Sequence, residues 1–256
     1  MLDAPLTVPR EAFDPRRVRR LMADTSVAVI IPARNEATTI GAVLDAVFTS
    51  RDVIDDVVVV DDHSHDDTAT VAAHHGARVV SSLGRGGKGN AMTTGLAATT
   101  SEVVVFLDAD VLNTGRDYVT RLVQPLVESP EIELVKGYYE RPLQHMPTGG
   151  GRVTELTARP VLSLLFPGLG EIRQPLAGET AGRRSVFGAI DLEPEYGVEI
   201  ALLIDVAAKF GVRSLAQVDL GVRRHRNRPL EELRPMAVDV LYAALVRYGV
   251  DIPTTP

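Results

Sequence analysis

The sequence predicts an α/β fold: a doubly wound, mostly parallel sheet with a helical C-terminal region. Three observations predict it. Val27–Ile31, Val57–Val60 and Val103–Leu107 are short runs rich in β-branched residues, as strands buried on both faces require. Helical patterns separate them, over 37–50, 66–75 and 90–100. Polar and acidic residues gather where the strands end, which is where such sheets bind ligands.

In chain order, residues 1–25 are polar and Arg-rich and read as an arm or short helix packed on the main body. Residues 26–145 carry the strand–helix rhythm, with Arg78–Val80 as a weaker strand and a fourth helical pattern over 116–127. Pro147–Gly151 reads as a flexible stretch that closes this region. Residues 146–256 are a second region with helices over 153–165, 195–210 and 230–249 and a strand over Arg213–Val218; Pro229 stands near the start of the last helix. The chain has no internal repeat and no low-complexity tract.

Composition narrows the function classes. A 256-residue chain with 45% hydrophobic and 24% charged residues is globular, neither disordered nor collagen-like. With no Cys it has no disulfide, no thiolate nucleophile and no Cys-based metal site. Its net charge of −7 argues against a general nucleic-acid binder. No apolar run approaches the ~20 residues of a membrane span. The early arginines Arg10, Arg16, Arg17, Arg19 and Arg20 are not followed by a signal-peptide core, so the expectation is a soluble intracellular protein with no membrane partner.

The strand ends carry the chemistry. The first run ends in Pro32-Ala33-Arg34-Asn35-Glu36, the second in Asp61-Asp62-His63-Ser64, the third in Asp108-Ala109-Asp110. Alternate residues of an extended segment point the same way, so Asp108 and Asp110 form a pair of hard oxygen ligands suited to Mg²⁺, or Mn²⁺. Such a metal holds a diphosphate and neutralises the charge that develops as it leaves. Two solvated loop acids are the bland alternative; the position at the end of a buried strand favours the metal. Lys88 lies in Gly84-Arg85-Gly86-Gly87-Lys88-Gly89, just before a helix start, where glycines and backbone N–H groups suit phosphate. Gly89 stands where a Walker A motif needs Ser or Thr, and no Rossmann glycine pattern follows the first strand, which weakens ATPase and dehydrogenase readings.

Pro32-Ala33-Arg34-Asn35-Glu36, Asp61-Asp62, Lys88 and Asp108-Ala109-Asp110 resemble the GT-A nucleotide-sugar glycosyltransferases. The second half narrows the resemblance to the glucosyl-3-phosphoglycerate synthase family. It does so through Gly149-Gly150-Gly151-Arg152-Val153-Thr154-Glu155-Leu156, Ala158-Arg159-Pro160, Gln174-Pro175-Leu176-Ala177-Gly178-Glu179, Tyr196-Gly197-Val198-Glu199-Ile200 and Val222-Arg223-Arg224-His225-Arg226-Asn227-Arg228-Pro229-Leu230. The resemblance runs from about residue 26 to the end.

It implies a GT-A fold with a C-terminal acceptor-binding and dimerisation region. It also implies a retaining, Mg²⁺-assisted transfer of glucose from a nucleotide diphosphate, UDP-glucose first, to 3-phosphoglycerate, by a cytoplasmic homodimer. On that likeness Pro32, Ala33, Arg34, Glu36 and Asp62 line the uracil and ribose pocket. Lys88 and Arg223 meet the diphosphate; Asp108, Ala109 and Asp110 hold ribose and metal, with His225 as a further metal ligand. Leu176, Gly178 and Glu199 approach the glucose. Gly151, Arg152, Val153, Thr154 and Asn227 bind the acceptor. Asp110, Glu199 and Arg223 are the candidate catalytic set.

Residue chemistry agrees with several of these. Three glycines, a guanidinium fork and a hydroxyl at a helix start make a cradle for phosphate or carboxylate. Glu199 falls in an apolar helical pattern and needs a partner there, a sugar hydroxyl or a structural Arg. The sequence departs from the family at its short N-terminal extension, at Ala109, at Thr180 and at His63 and His65. The changes at Thr180, His63 and His65 border the donor, so a homologous enzyme with another donor sugar or anionic acceptor stays open. A sugar-phosphate nucleotidyltransferase would carry a Gly-rich, Arg-containing loop after the first strand, where Pro32–Glu36 stands instead. A non-enzymatic nucleotide-binding module would have no need of Asp110 or His225.

Overall fold

The β-branched runs form the middle of one sheet. The computed structural model describes residues 3–22, 24–143, 146–149, 151–224 and 230–252. Strands β1 (Leu6–Val8), β2 (Val27–Ala33), β3 (Asp56–Asp61), β4 (Arg78–Ser81), β5 (Val103–Phe106), β6 (Leu134–Glu140), β9 (Thr180–Arg183) and β10 (Leu215–Val222) pair in the order β1-β10-β6-β9-β5-β2-β3-β4. All the pairings are parallel except those of β9, which runs antiparallel to both β5 and β6. A short hairpin of β7 (Pro142–Leu143) and β8 (Met146–Gly149) stands apart. Much of the stretch expected as a flexible connector is therefore paired.

Alternation along the strands builds two cores. Val27, Val29 and Ile31 of β2 pack on one face with Val57 and Val59, against α2 (Ile40–Phe48) and α5 (Tyr118–Glu128). Ile30, Val58, Val60, Val104 and Phe106 pack on the other with α4 (Lys88–Ala97), α6 (Arg159–Leu165), α8 (Val198–Phe210) and α9 (Leu230–Arg247). Two covered faces explain why these strands read as continuous apolar runs. The remaining helices are α1 (Pro15–Leu21), α3 (Thr68–His74) and the one-turn α7 (Arg184–Phe187). Helix α1 starts on Asp14, whose carboxylate accepts from the backbone of Arg16 and Arg17 at 3.0 and 3.1 Å, with Pro15 at the first turn. Among the described residues no helix is long and apolar enough to cross a membrane.

Several strands depart from the sequence reading: β1, β6, the β7–β8 hairpin and β9 are not among the strands it expects. The polar arm supplies α1, and it also supplies β1, which extends the sheet edge alongside β10. Strand β9, Thr-Ala-Gly-Arg, lacks any strand signature. Its conformation comes from its neighbours: a Cβ on Gly182 would meet Phe187 at 2.9 Å, so a small residue lets that ring close over the strand. Both halves of the chain thus build one sheet. Because β9 runs against the others, it begins at the edge where the parallel strands end. The segment before it, Gln174–Glu179, is delivered to that edge.

Candidate active site

A cleft of about 510 Å³ opens over the carboxyl ends of the parallel strands. On one side stand Pro32 and Ala33 at the end of β2, with Arg34 and Glu36 just beyond it. Asn35 there is left-handed (φ 57°), and His63 after β3 matches it (φ 58°). The two turns are tied together: Asn35 N donates to Ser64 Oγ at 3.0 Å, and Asn35 Oδ1 accepts from His65 N at 2.8 Å. Asp62 is buried and lines the cleft. Its Oδ2 accepts from Gly87 N at 3.0 Å, clamping the glycine loop, while its Oδ1 has no hydrogen-bond partner among the described residues.

The glycine loop differs from its sequence reading in one respect. The first free backbone donors of α4, Gly89 N and Asn90 N, both reach Pro194 O, at 2.9 and 3.2 Å. Two of the helix's first backbone donors are thus taken by the chain itself, while the backbone of Gly86 and Gly87 lines the cleft. Lys88 lines the cleft and carries its ammonium to the carboxylates there. Its Nζ lies 2.7 Å from Asp108 Oδ1 and 2.5 Å from Glu199 Oε1. The buried Glu199, in the first turn of α8, thus has a lysine for its partner.

Asp108 and Asp110 follow β5 and meet Arg223. A bulge between Asp219 and Val222, with Gly221 at φ +86°, turns the end of β10. Arg223 beyond it is 4% exposed. Its Nη2 donates to Asp108 Oδ2 at 2.8 Å and Asp110 Oδ1 at 3.0 Å; its Nη1 donates to Glu179 Oε2 at 2.9 Å and the Tyr139 hydroxyl at 2.7 Å. Burial pushes the Asp108 carboxyl up, but Lys88 and Arg223 outweigh it and hold it well below the carboxylate range. Burial likewise opposes the Lys88 ammonium, which Asp108 and Glu199 hold above the usual lysine range. The fully buried Glu179 goes the other way: burial raises it against the pull of Arg223. Two carboxylate oxygens converging within 3.0 Å of one cationic nitrogen are a donor set that fits a hard divalent cation. Among the described residues no third His, Asp or Glu completes a cage with them. His225, the further ligand expected from sequence, lies outside the described residues.

Across the cleft, Gly151 (φ +74°), Arg152, Val153 and Thr154 enter a helical segment that continues into α6. They line the same cavity as Asp108 and Arg34. Asn227, expected beside them, lies outside the described residues. Leu176 lines the cleft, whereas Gly178 sits behind Asp108: a Cβ on it would fall well inside contact distance of the carboxylate. Gly178, expected beside the sugar, is absent from the cleft lining and packs directly against Asp108. Sequence reasoning gave no role to Arg85, Glu195, Tyr196, Leu233 and Met236 of the lining, nor to Lys136, Tyr139 and Glu179 behind it. A lone Lys in the apolar run Leu134-Val135-Lys136 was the one visible signal.

Residues 28–142 match glycosyl transferase family 2, which with the strand-end acids and the mostly parallel sheet defines a GT-A glycosyltransferase. A glucosyl-3-phosphoglycerate synthase of Mycobacterium tuberculosis is 45% identical over 89% of this chain and 75% of its own length. The Petrotoga mobilis synthase is 39% identical over 88% and 75%. The chain belongs to the glucosyl-3-phosphoglycerate synthase family. The crystal structure of the M. tuberculosis enzyme with Mn²⁺ and UDP-glucose superposes with a TM-score of 0.90 at 41% identity, covering 98% of this chain and 88% of that one. The same enzyme with phosphoglyceric acid gives 0.90 at 41% identity, covering 98% and 89%.

Proposed function

We propose that this chain moves glucose from UDP-glucose to the hydroxyl of 3-phosphoglycerate, giving glucosyl-3-phosphoglycerate with retention at the anomeric carbon. The observation that carries the reading is one cleft holding both halves of the chemistry. Asp108, Asp110, Arg223 and Lys88 stand on one side, and the Gly151-Arg152-Val153-Thr154 helix start on the other. The M. tuberculosis relative has been solved with UDP-glucose, Mn²⁺ and phosphoglyceric acid together.

In this reading Pro32, Ala33, Arg34, Glu36 and Asp62 hold the nucleoside. Asp62 Oδ1, without a partner among the described residues, suits an N–H or O–H donor there. Asp108, Ala109 and Asp110, with His225, hold Mg²⁺ or Mn²⁺. The bound metal neutralises charge on the departing diphosphate. Arg223 exchanges carboxylates for diphosphate oxygens, and Lys88 stands beside them. Glu199 accepts from a glucose hydroxyl, with Leu176 against the ring. Arg152, Thr154 and Asn227 hold the acceptor anion. The C1–diphosphate bond breaks and the acceptor oxygen joins C1 on the same face. The acceptor's proton passes to the leaving phosphate oxygen, and UDP departs. Catalysis is then positioning and electrostatics, with no protein nucleophile.

The test is transfer from a panel of nucleotide sugars to 3-phosphoglycerate, with Mg²⁺ and with EDTA, read by mass spectrometry. A glucosylated product that disappears with EDTA is expected. Metal-dependent donor hydrolysis without that product would overturn the acceptor assignment. Arg152→Ala is expected to raise the acceptor KM ~10- to 100-fold, the worth of a charge-assisted bond of ~1.5–3 kcal/mol. The donor KM should hold; an equal rise in both removes Arg152 from the acceptor site. The cytoplasmic homodimer implied by the family resemblance belongs to the same reading. Val238, Tyr242 and Val246 are exposed at helical spacing on α9, a face suited to a second copy, and sedimentation velocity reads it directly.

A further inference from the structure

A lysine buried in the middle of a sheet needs an explanation. Lys136 is 1% exposed, on β6, in register with Thr180 of β9. Burying an ammonium costs several kcal/mol unless it is paired, and an apolar side chain of the same length would fill the space at no such cost. Its Nζ donates to the Ala177 carbonyl and to Thr180 Oγ1, the latter at 2.8 Å. Burial, helped by the Lys88 charge, holds the ammonium down at about 8 against the opposing pull of Glu199, Glu179 and Asp108.

Ala177 sits between the two residues that shape the sugar end of the cleft. Leu176 lines the cavity, and Gly178 backs the Asp108 carboxylate. A bond to the Ala177 carbonyl fixes the peptide plane that joins Ala177 to Gly178. We propose that Lys136 is a positioning residue: by holding Ala177 O it sets the turn that presents Leu176 to the glucose and keeps Asp108 aimed at the diphosphate and metal. The inference rests on the donor site proposed above. Other bonds fix the ends of this turn: Ala177 N to Gln174 O at 3.1 Å, and Gly137 N to Glu179 O at 2.8 Å. Lys136 holds the middle, with a longer bond from Thr180 Oγ1 to the same carbonyl at 3.4 Å.

The experiment compares Lys136→Met, which keeps the stem volume, with Thr180→Val, which keeps the lysine but removes one of its two acceptors together with a 3.4 Å bond from Thr180 Oγ1 to the same Ala177 carbonyl. Backbone hydrogen exchange is read alongside kinetics and UDP binding. In Lys136→Met the amides of Leu176–Glu179 should exchange about ten-fold faster with the rest of the sheet unchanged. The kcat should fall by about 10²-fold, as a misplaced group costs. The melting temperature should stay near wild type, because a buried charge has also been removed, while Mg²⁺-dependent UDP affinity should fall as Asp108 loses its support. Thr180→Val should lie between and carries the test if Lys136→Met does not fold. Unchanged exchange over Leu176–Glu179, or faster exchange spread evenly through the sheet, overturns the proposal. Wild-type enzyme that makes no glucosylated product overturns the transfer reading, while the exchange pattern still decides the role of Lys136.

Discussion

Asp110→Ala is expected to abolish metal-dependent transfer and leave the fold intact. A metal that stabilises a departing diphosphate supplies several kcal/mol, and ~4 kcal/mol is about 10³-fold in rate. Asp110 is part of that donor set, yet little of the fold rests on it. Arg223, its partner at 3.0 Å, keeps Asp108, Glu179 and the Tyr139 hydroxyl when Asp110 is removed, so no buried charge is orphaned. Circular dichroism and melting temperature should therefore match wild type. Calorimetry should show that UDP binding no longer responds to Mg²⁺. Undiminished turnover in excess Mg²⁺ would refute the metal role.

What could be read from the sequence follows from where the physics is local. Val27–Ile31 and Val57–Val60 announce themselves because both faces of each strand are covered, so every position is apolar. Thr180–Arg183 does not, since its place is made by Phe187 and Leu134 closing over Gly182. The same division holds in the site. Asp108, Asp110, Lys88, Glu199 and Arg223 were legible as chemistry standing at strand and helix ends, and the structure brings them into one network. The Pro194 carbonyl that closes the start of α4 was not, because it comes from a segment a hundred residues away in sequence. Lys136 and Glu179 escaped for the same reason: their partners are set by the antiparallel return of β9, which no local pattern encodes.

Gly178→Ala should be strongly damaging to turnover. Gly178 lies outside the left-handed region, so backbone strain plays no part; the clash alone acts. The new Cβ would overlap the Asp108 carboxylate, which Lys88 holds at 2.7 Å and Arg223 at 2.8 Å. Either Asp108 swings away and loses one of these cations, or the turn retreats and strains the bond from Lys136 to the Ala177 carbonyl. Overpacking of this kind costs ~1–3 kcal/mol of stability, while a misplacement of an ångström at the reacting groups costs about 10²-fold in rate. Gly182→Ala is the internal comparison. Its Cβ meets the Phe187 ring and Leu134, side chains of the core with no part in the cleft. Both variants should melt earlier, measured by calorimetry, and only Gly178→Ala should lose kcat beyond what its stability explains. Wild-type turnover in Gly178→Ala would mean that Asp108 does not depend on its buttress. Asp108 would then be held in place by its cations alone.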